Sequence, residues 1–433
     1  MSHVMNLLIK GADLVGAGRQ DLLISGGLIA EIGTLDTGSA GVDQTIEADG
    51  LIALPGLVDL HTHLREPGRE DAETIASGSA AAAIGGFTAI LAMANTTPVT
   101  DTAEAAERVL DLGRLAGLVD VQPVGAVTKG LAGEELAELG LMAHSRANVR
   151  VFSDDGHCVA DARVMRRVLE YVRAFDGVVS QHAQDPKLAD GRACCHEGEL
   201  SGRLGLPGWP GIAEEIIVAR DVMLARHTGS RVHVAHVSTA GSVEVIRWAK
   251  AQGIAVTAEV TPHHLMLTTD LVTGYDPTFK VNPPLREQCD VDALREALAD
   301  GTIDAIATDH APHSSIEKDC EFAEASPGMI GLELVLPVLL SLVRSGALPL
   351  ARLVDALTRA PAKIVGLTSP SLHEGALAEL VLVDPEAGFT VDPARLRSKS
   401  RNTPFLGHAL QGRVKMTIAG GRVVFEDGGP SGR

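Results

Sequence analysis

The sequence is short of positive charge. Thirty-seven lysines and arginines face 56 aspartates and glutamates, a formal net charge of −19 over 433 residues. That deficit excludes nucleic acid or an anionic membrane as the main partner, because either would be repelled. A small anion can still bind, provided the site supplies its own cation. Cysteine is sparse too. Cys158, Cys194, Cys195, Cys289 and Cys320 are odd in number and lack C-x-x-C spacing, which argues against a disulfide framework and fits a reducing compartment. No stretch approaches the ~20 uninterrupted apolar residues of a membrane span. The opening MSHVMNLLIKGADLVG has no basic segment followed by a long apolar run, so no secretory signal is expected. Fixed repeats and low-complexity segments are missing as well. The expectation is a soluble, cytoplasmic protein that handles a small molecule.

What is present is an ordinary enzyme composition, 45% apolar and 21% charged, in a chain long enough for a large core. The first 55 or so residues are short strand-like runs separated by Gly-Gly and Asp-Gly turn signals, which predicts hairpins of a small sheet. The closing segment reads the same way. In between, eight apolar strand-like runs alternate with Ala/Leu-rich helical stretches: GLVDLHTH, GFTAILAM, VDVQPVGAV, NVRVFSDD, GVVSQHA, RVHVAHVS, AVTAEVTPHH and TIDAIATDH. Continuous apolar strands followed by helices indicate a parallel sheet covered by helices. Eight such units predict an α/β fold, a (β/α)8 barrel over residues 55–366. Residues 1–54 and 367–433 would then pair into a small composite β domain.

Polar residues fall at the carboxyl ends of these runs. His61 and His63 end the first, Asn95 follows the second, and Asp154 and Asp155 end the fourth. His182 ends the fifth, His236 the sixth, and Asp309 with His310 the eighth. Residues i and i+2 of a strand share a face, so His61 and His63 present two imidazoles together. One strand-end histidine is more often merely hydrogen-bonded than a ligand. A barrel, however, gathers all eight strand ends at one mouth. Four imidazoles and two carboxylates there match the N/O preference of zinc. Alternation places His233 opposite His236, at the strand–helix interface. His263 and His264 are expected to brace the site rather than ligate. His144, His157 and His227 read as surface residues, and His196 as part of a loop bordering the mouth.

With these residues in view, the chain resembles the dihydroorotases of the amidohydrolase superfamily. DLHTHLREPG (Asp59–Gly68) resembles one family signature and ATDHAPH (Ala307–His313) the other. MANTTPVTD, HEGELSGRLGLPG, KVNPPLR, SPGMIGLE and SKSRNTPFLGHALQGRVKMTIAGGRVV extend the likeness over nearly the whole chain. Pro327 stands where the family more often has an aromatic, and Glu379 where Asp is usual.

The resemblance implies a zinc-dependent enzyme that reversibly hydrolyses the cyclic amide of L-dihydroorotate to N-carbamoyl-L-aspartate. It implies His61, His63 and Asp309 at a buried metal, with His182 and His236 at a second. A carboxylate should bridge the two ions. The usual carboxylated lysine has no candidate on strand four, and Lys129 follows strand three. Asp154 and Asp155 both remain open on alternation, and family analogy favours Asp155. One or two zinc ions are therefore expected, with two favoured. Asp309 would move the proton between water and the ring nitrogen. Arg65, Asn95 and His313 would hold the substrate carboxylate. Asn282 and the backbone of Pro327 and Gly328 would read the ring amides, and His63 would also border the substrate. Ser314–Pro327 could serve as a lid. A homodimer and an association with aspartate transcarbamoylase belong to the same expectation. Two other readings compete. One is an allantoinase- or hydantoinase-like hydrolase, which would call for a bridging lysine. The other is a non-catalytic scaffold, which would have lost metal ligands.

Overall fold

The computed structural model describes residues 6–35 and 41–428. Eight short strands run parallel in chain order: Leu57–Thr62, Phe87–Ala92, Asp120–Pro123, Val151–Phe152, Val178–Gln181, Val232–Val234, Val256–Val260 and Ala305–Ile306. Three form one arc and five another. Parallel bridges Gly125–Phe152 and Thr62–His310 join the arcs at both seams, closing the barrel. All eight coincide with the apolar runs of the sequence.

Helices cover the barrel for reasons visible in their residues. Ala162–Val172 buries Val164, Met165, Val168, Leu169 and Val172, one stripe of a 3.6-residue period. Asp161 caps it by accepting from the amides of Arg163 and Val164. Ile75–Gly85 has no such stripe, because it is squeezed between the barrel and the sheet built from the chain ends. The Thr417 hydroxyl donates to its Ala83 carbonyl. A Cβ on Gly85 would stand 2.0 Å from the Leu332 carbonyl oxygen. Small residues are what this contact needs.

Strands from both chain ends share one sheet. Leu380–Thr390 pairs antiparallel with Ile52–Pro55 and with Ala409–Ala419. Leu380 and Leu382 pack into the sheet's own core with Leu7, Ile9, Leu22, Ile24, Met416 and Ile418. Val381 and Val383, on the opposite face, join the barrel core. The run LVLV is apolar throughout because both of its faces are buried. Leu7–Leu14, Gly18–Ser25 and Leu28–Gly33 are the expected antiparallel neighbours. The hairpin expected around Asp49-Gly50 is not one. Gln44–Glu47 and Ile52–Pro55 both run parallel to Leu7–Leu14, one after the other along it. The turn jogs the chain without reversing it. Among the described residues, no helix is long and apolar enough to cross a membrane.

Candidate metal centre and active site

The strand ends bring six buried ligand-type side chains together. Asp155 is their hub. Its Oδ1 lies 3.3 Å from His61 Nε2, from His182 Nδ1 and from His236 Nε2, and its Oδ2 lies 3.3 Å from His63 Nε2. Asp309 Oδ1 stands 3.1 Å from His63 Nε2 and 3.6 Å from His61 Nε2. Two candidate ligand triads result, His61–His63–Asp155 and Asp155–His182–His236, with Asp155 common to both. Of the two neighbouring aspartates, Asp155 is the one that reaches the cluster. Asp154 turns away, accepting from the amides of Val127 and Thr128 and from the Thr128 hydroxyl. Lys129 is exposed and paired with Glu135 at 2.9 Å, away from the cluster.

These residues fit a metal. Donors bound tetrahedrally at about 2.0–2.1 Å lie about 3.3 Å apart, which is the spacing seen around Asp155. His61 Nε2 is buried and has no hydrogen-bond partner, a costly arrangement unless it donates its lone pair to a cation. Its other nitrogen, Nδ1, lies 3.0 Å from Glu259 Oε1. His63 Nδ1 is held by Asn95 Oδ1 at 2.9 Å, and His182 Nε2 by Gln184 Oε1 at 2.8 Å. Each of these three rings thus has its rear nitrogen occupied and its other nitrogen directed at Asp155.

Glu259 was not foreseen, and with it comes a correction. His233 does not pack at a strand–helix interface. Its Nε2 faces Glu259 Oε2 at 3.2 Å and its Nδ1 lies 2.8 Å from Thr257 Oγ1, inside the barrel. The alternation that separated His233 from His236 fails because His236 adopts φ 31°, which turns its ring inward beyond the strand end. Burial works to raise the Glu259 carboxyl, but His233 and His61 beside it outweigh that and hold it at about 2. The signal that could have found Glu259 is a carboxylate in the middle of the apolar run AVTAEV, since a buried charge needs a partner.

Arg65 lies at the same mouth, with φ 59°. Its Nε donates to the Pro312 carbonyl at 3.1 Å, and one Nη lies 3.3 Å from His313 Nε2. Among the described residues it forms no ion pair, and Glu66 instead accepts from the Ile75 amide. Burial, with Arg69 nearby, lowers the guanidinium to about 10, still charged at neutral pH. His313 Nε2 also sits 2.8 Å from the Pro327 carbonyl oxygen. The Gly328 amide donates to Lys280, which leaves its carbonyl edge, and that edge already accepts from Asn402 Nδ2. Asn282 Oδ1 is buried without a partner, and its Nδ2 lies 3.5 Å from Gln184 Oε1. Asn282 is thereby tied to the His182 side of the site.

Asn402 was also missed. It donates to the carbonyls of Ala311 and Gly328 and accepts from the His313 amide, stapling two mouth loops. Nearby, the Ser398 hydroxyl donates to Glu73, which lies 3.2 Å from His310. No local pattern marks a polar residue near the chain's end as a support for the barrel mouth. His264 braces the Pro283 carbonyl at 3.1 Å. Ser314–Pro327 is packed down: Phe322 is buried against Cys194, Cys195 and Val272, and Lys318 Nζ donates to Ser326.

Comparison with known proteins agrees with this geometry. Residues 50–242 match the family model described as Dihydro-orotase-like, and residues 224–425 match Amidohydrolase family. A protein from Streptomyces coelicolor named Dihydroorotase is 57% identical over 97% of this chain and 98% of its own. Another so named, from Mycobacterium tuberculosis, is 51% identical over 98% of this chain and 99% of its own. Among solved structures, the L-hydantoinase (dihydropyrimidinase) of Arthrobacter aurescens superposes with a TM-score of 0.85 at 27% identity, covering 98% of this chain and 96% of that one. Such identity over nearly the full length of both chains places this protein in the dihydroorotase family of metal-dependent amidohydrolases.

Proposed function

We propose that this chain interconverts L-dihydroorotate and N-carbamoyl-L-aspartate, a step of pyrimidine biosynthesis, with two zinc ions at the barrel mouth. The single observation that carries the reading is Asp155, shared between two imidazole pairs at 3.3 Å contacts. A lone ion would need one such pair, whereas two pairs around one carboxylate suit a bridged site. His61, His63 and Asp309 would hold one ion, His182 and His236 the other, and Asp155 both. When bound, zinc supplies an acidified water and a Lewis acid for the amide carbonyl.

The chain's own residues do the rest. Burial works to raise the Asp309 carboxyl, but His61 and His63 beside it outweigh that and hold it below the ordinary carboxylate range. Its carboxylate takes a proton during ring opening and returns it to the departing ring nitrogen; in ring closure it takes the proton of the attacking ureido nitrogen. Arg65 binds the substrate carboxylate, supplying the cation that a −19 protein must place deliberately. His313 and Asn95 flank it, and Asn95 also orients His63, which borders the substrate. Asn282 Oδ1 and the Pro327–Gly328 backbone offer acceptors to the ring amides. The reading includes a cytoplasmic homodimer and association with aspartate transcarbamoylase, which light scattering with and without that enzyme tests.

The deciding experiment follows ultraviolet loss of L-dihydroorotate before chelation, after it, and after zinc is restored, with allantoin and dihydrouracil alongside. Metal-dependent turnover of dihydroorotate alone is expected. Inactivity of metal-replete protein would favour a scaffold, and preference for an uncharged ring would remove Arg65 from substrate binding.

A further inference from the structure

The imidazoles of the site are backed by unlike chemistry. His63 and His182 rest on the neutral amide oxygens of Asn95 and Gln184, at 2.9 and 2.8 Å. His61 rests on a carboxylate, Glu259 Oε1 at 3.0 Å, which is only 1% exposed. That carboxylate is itself set in a line. Its Oε2 lies 3.2 Å from His233 Nε2, a charge contact in which neither atom completes a hydrogen bond. His233 Nδ1 then meets Thr257 Oγ1 at 2.8 Å. Thr257 and Glu259 are two residues apart on one strand and share a face. Thr257 is register partner to His233 on the next strand, so the line is built into the barrel's pairing.

One proton order fits this line. The Thr257 hydroxyl donates to His233 Nδ1, His233 Nε2–H points at Glu259 Oε2, and Glu259 Oε1 accepts from His61 Nδ1–H. His61 is then left with a bare Nε2, the atom that faces Asp155 and Asp309. A carboxylate behind an imidazole fixes its tautomer and makes its free nitrogen a stronger donor, and removing such a partner typically costs ~10–100-fold in metal affinity. A neutral amide fixes the tautomer without adding negative charge.

We propose that Thr257, His233 and Glu259 are positioning residues that make the His61–His63–Asp155 position the tighter of two unequal metal positions, the Asp155–His182–His236 position releasing its ion first. This rests on the two-metal reading above and adds an order of occupancy that the ligands alone do not dictate.

The test counts metal and needs no turnover. Metal-loaded full-length protein is equilibrated in zinc buffers of graded free concentration, and bound zinc is measured by elemental analysis. Circular dichroism confirms that each variant is folded. The native chain should lose one ion well before the other. Glu259→Gln, whose amide oxygen can still accept from His61 Nδ1–H but which carries no charge, should weaken the tighter step ~10–100-fold and leave the weaker step nearly unchanged. Gln184→Glu supplies the missing charge behind His182 and should tighten the weaker step by about tenfold or more. Two equal steps in the native chain, equal weakening of both in Glu259→Gln, or an unmoved weaker step in Gln184→Glu would each overturn the proposal. A native chain that holds no zinc would instead overturn the metal reading beneath it.

Discussion

The barrel mouth and the sheet at the chain ends are built on opposite rules. In the sheet, side chains two apart share one environment: Leu380 with Leu382, Met416 with Ile418, all in one apolar core. At the mouth, His61, Asp155, His182, His236, Glu259 and Asp309 are buried too, yet each carries a charge or a strong dipole. Three mouth residues also hold positive φ: Arg65 at 59°, His236 at 31° and Asp309 at 46°. Such conformations cost of order 1–3 kcal/mol each and persist where the surroundings over-determine them. The sheet and its neighbouring helix supply apolar burial, and the mouth spends part of that stability on directed polar groups.

This contrast can be broken by substitution, and the largest effect belongs at the mouth. Asp309→Asn should retain zinc by elemental analysis and lose ~10²–10⁴ in turnover in both directions; near-normal rates would remove its proton-transfer role. Next, Arg65→Met should lower kcat/KM for dihydroorotate by roughly 10–100-fold, the worth of one charge-assisted contact, mainly through KM. An unchanged KM would count against carboxylate binding. In the sheet the effect should move from rate to stability. Ile24→Ala, at a fully buried position, should cost about 2–5 kcal/mol in denaturant unfolding with kcat and KM unaltered. A changed kcat would show that sheet packing reaches the mouth.

The last effect concerns Lys318, within the segment that borders the mouth. Burial, with Lys280 beside it, depresses its ammonium from 10.5 to about 7. Between those values the unfolded chain binds a proton that the folded chain does not, so stability should rise with pH through that window. Below 7 both states carry the proton and the slope vanishes. Lys318→Met should flatten that slope, measured as denaturation midpoints from pH 7 to 10; an unchanged slope would mean the ammonium is solvated.

Much of this was legible in the chain. Parallel strands covered on both faces are continuous apolar runs, so all eight could be located, and the polar residues ending them could be named one by one. His61 and His63 do face one centre, as their spacing of two requires. What failed was alternation past the last regular residue. It separated His233 from His236 because it cannot foresee φ 31° at the latter, and it could not choose between Asp154 and Asp155. Glu259 was passed over inside a strand, where the expected residue is apolar. Asn402 was passed over because its partners, Ala311, His313 and Gly328, lie 74 to 91 positions away.

By itself, then, the sequence determined the class of fold, the strand ends that carry chemistry and the family, because local periodicity and residue type are written in consecutive positions. Only the tertiary structure decided which aspartate is the hub, which nitrogen of each histidine faces it, and which group stands behind each ring. Those are relations between atoms of different strands, set by barrel register and by backbone turns at the strand ends, and no window along one strand contains them.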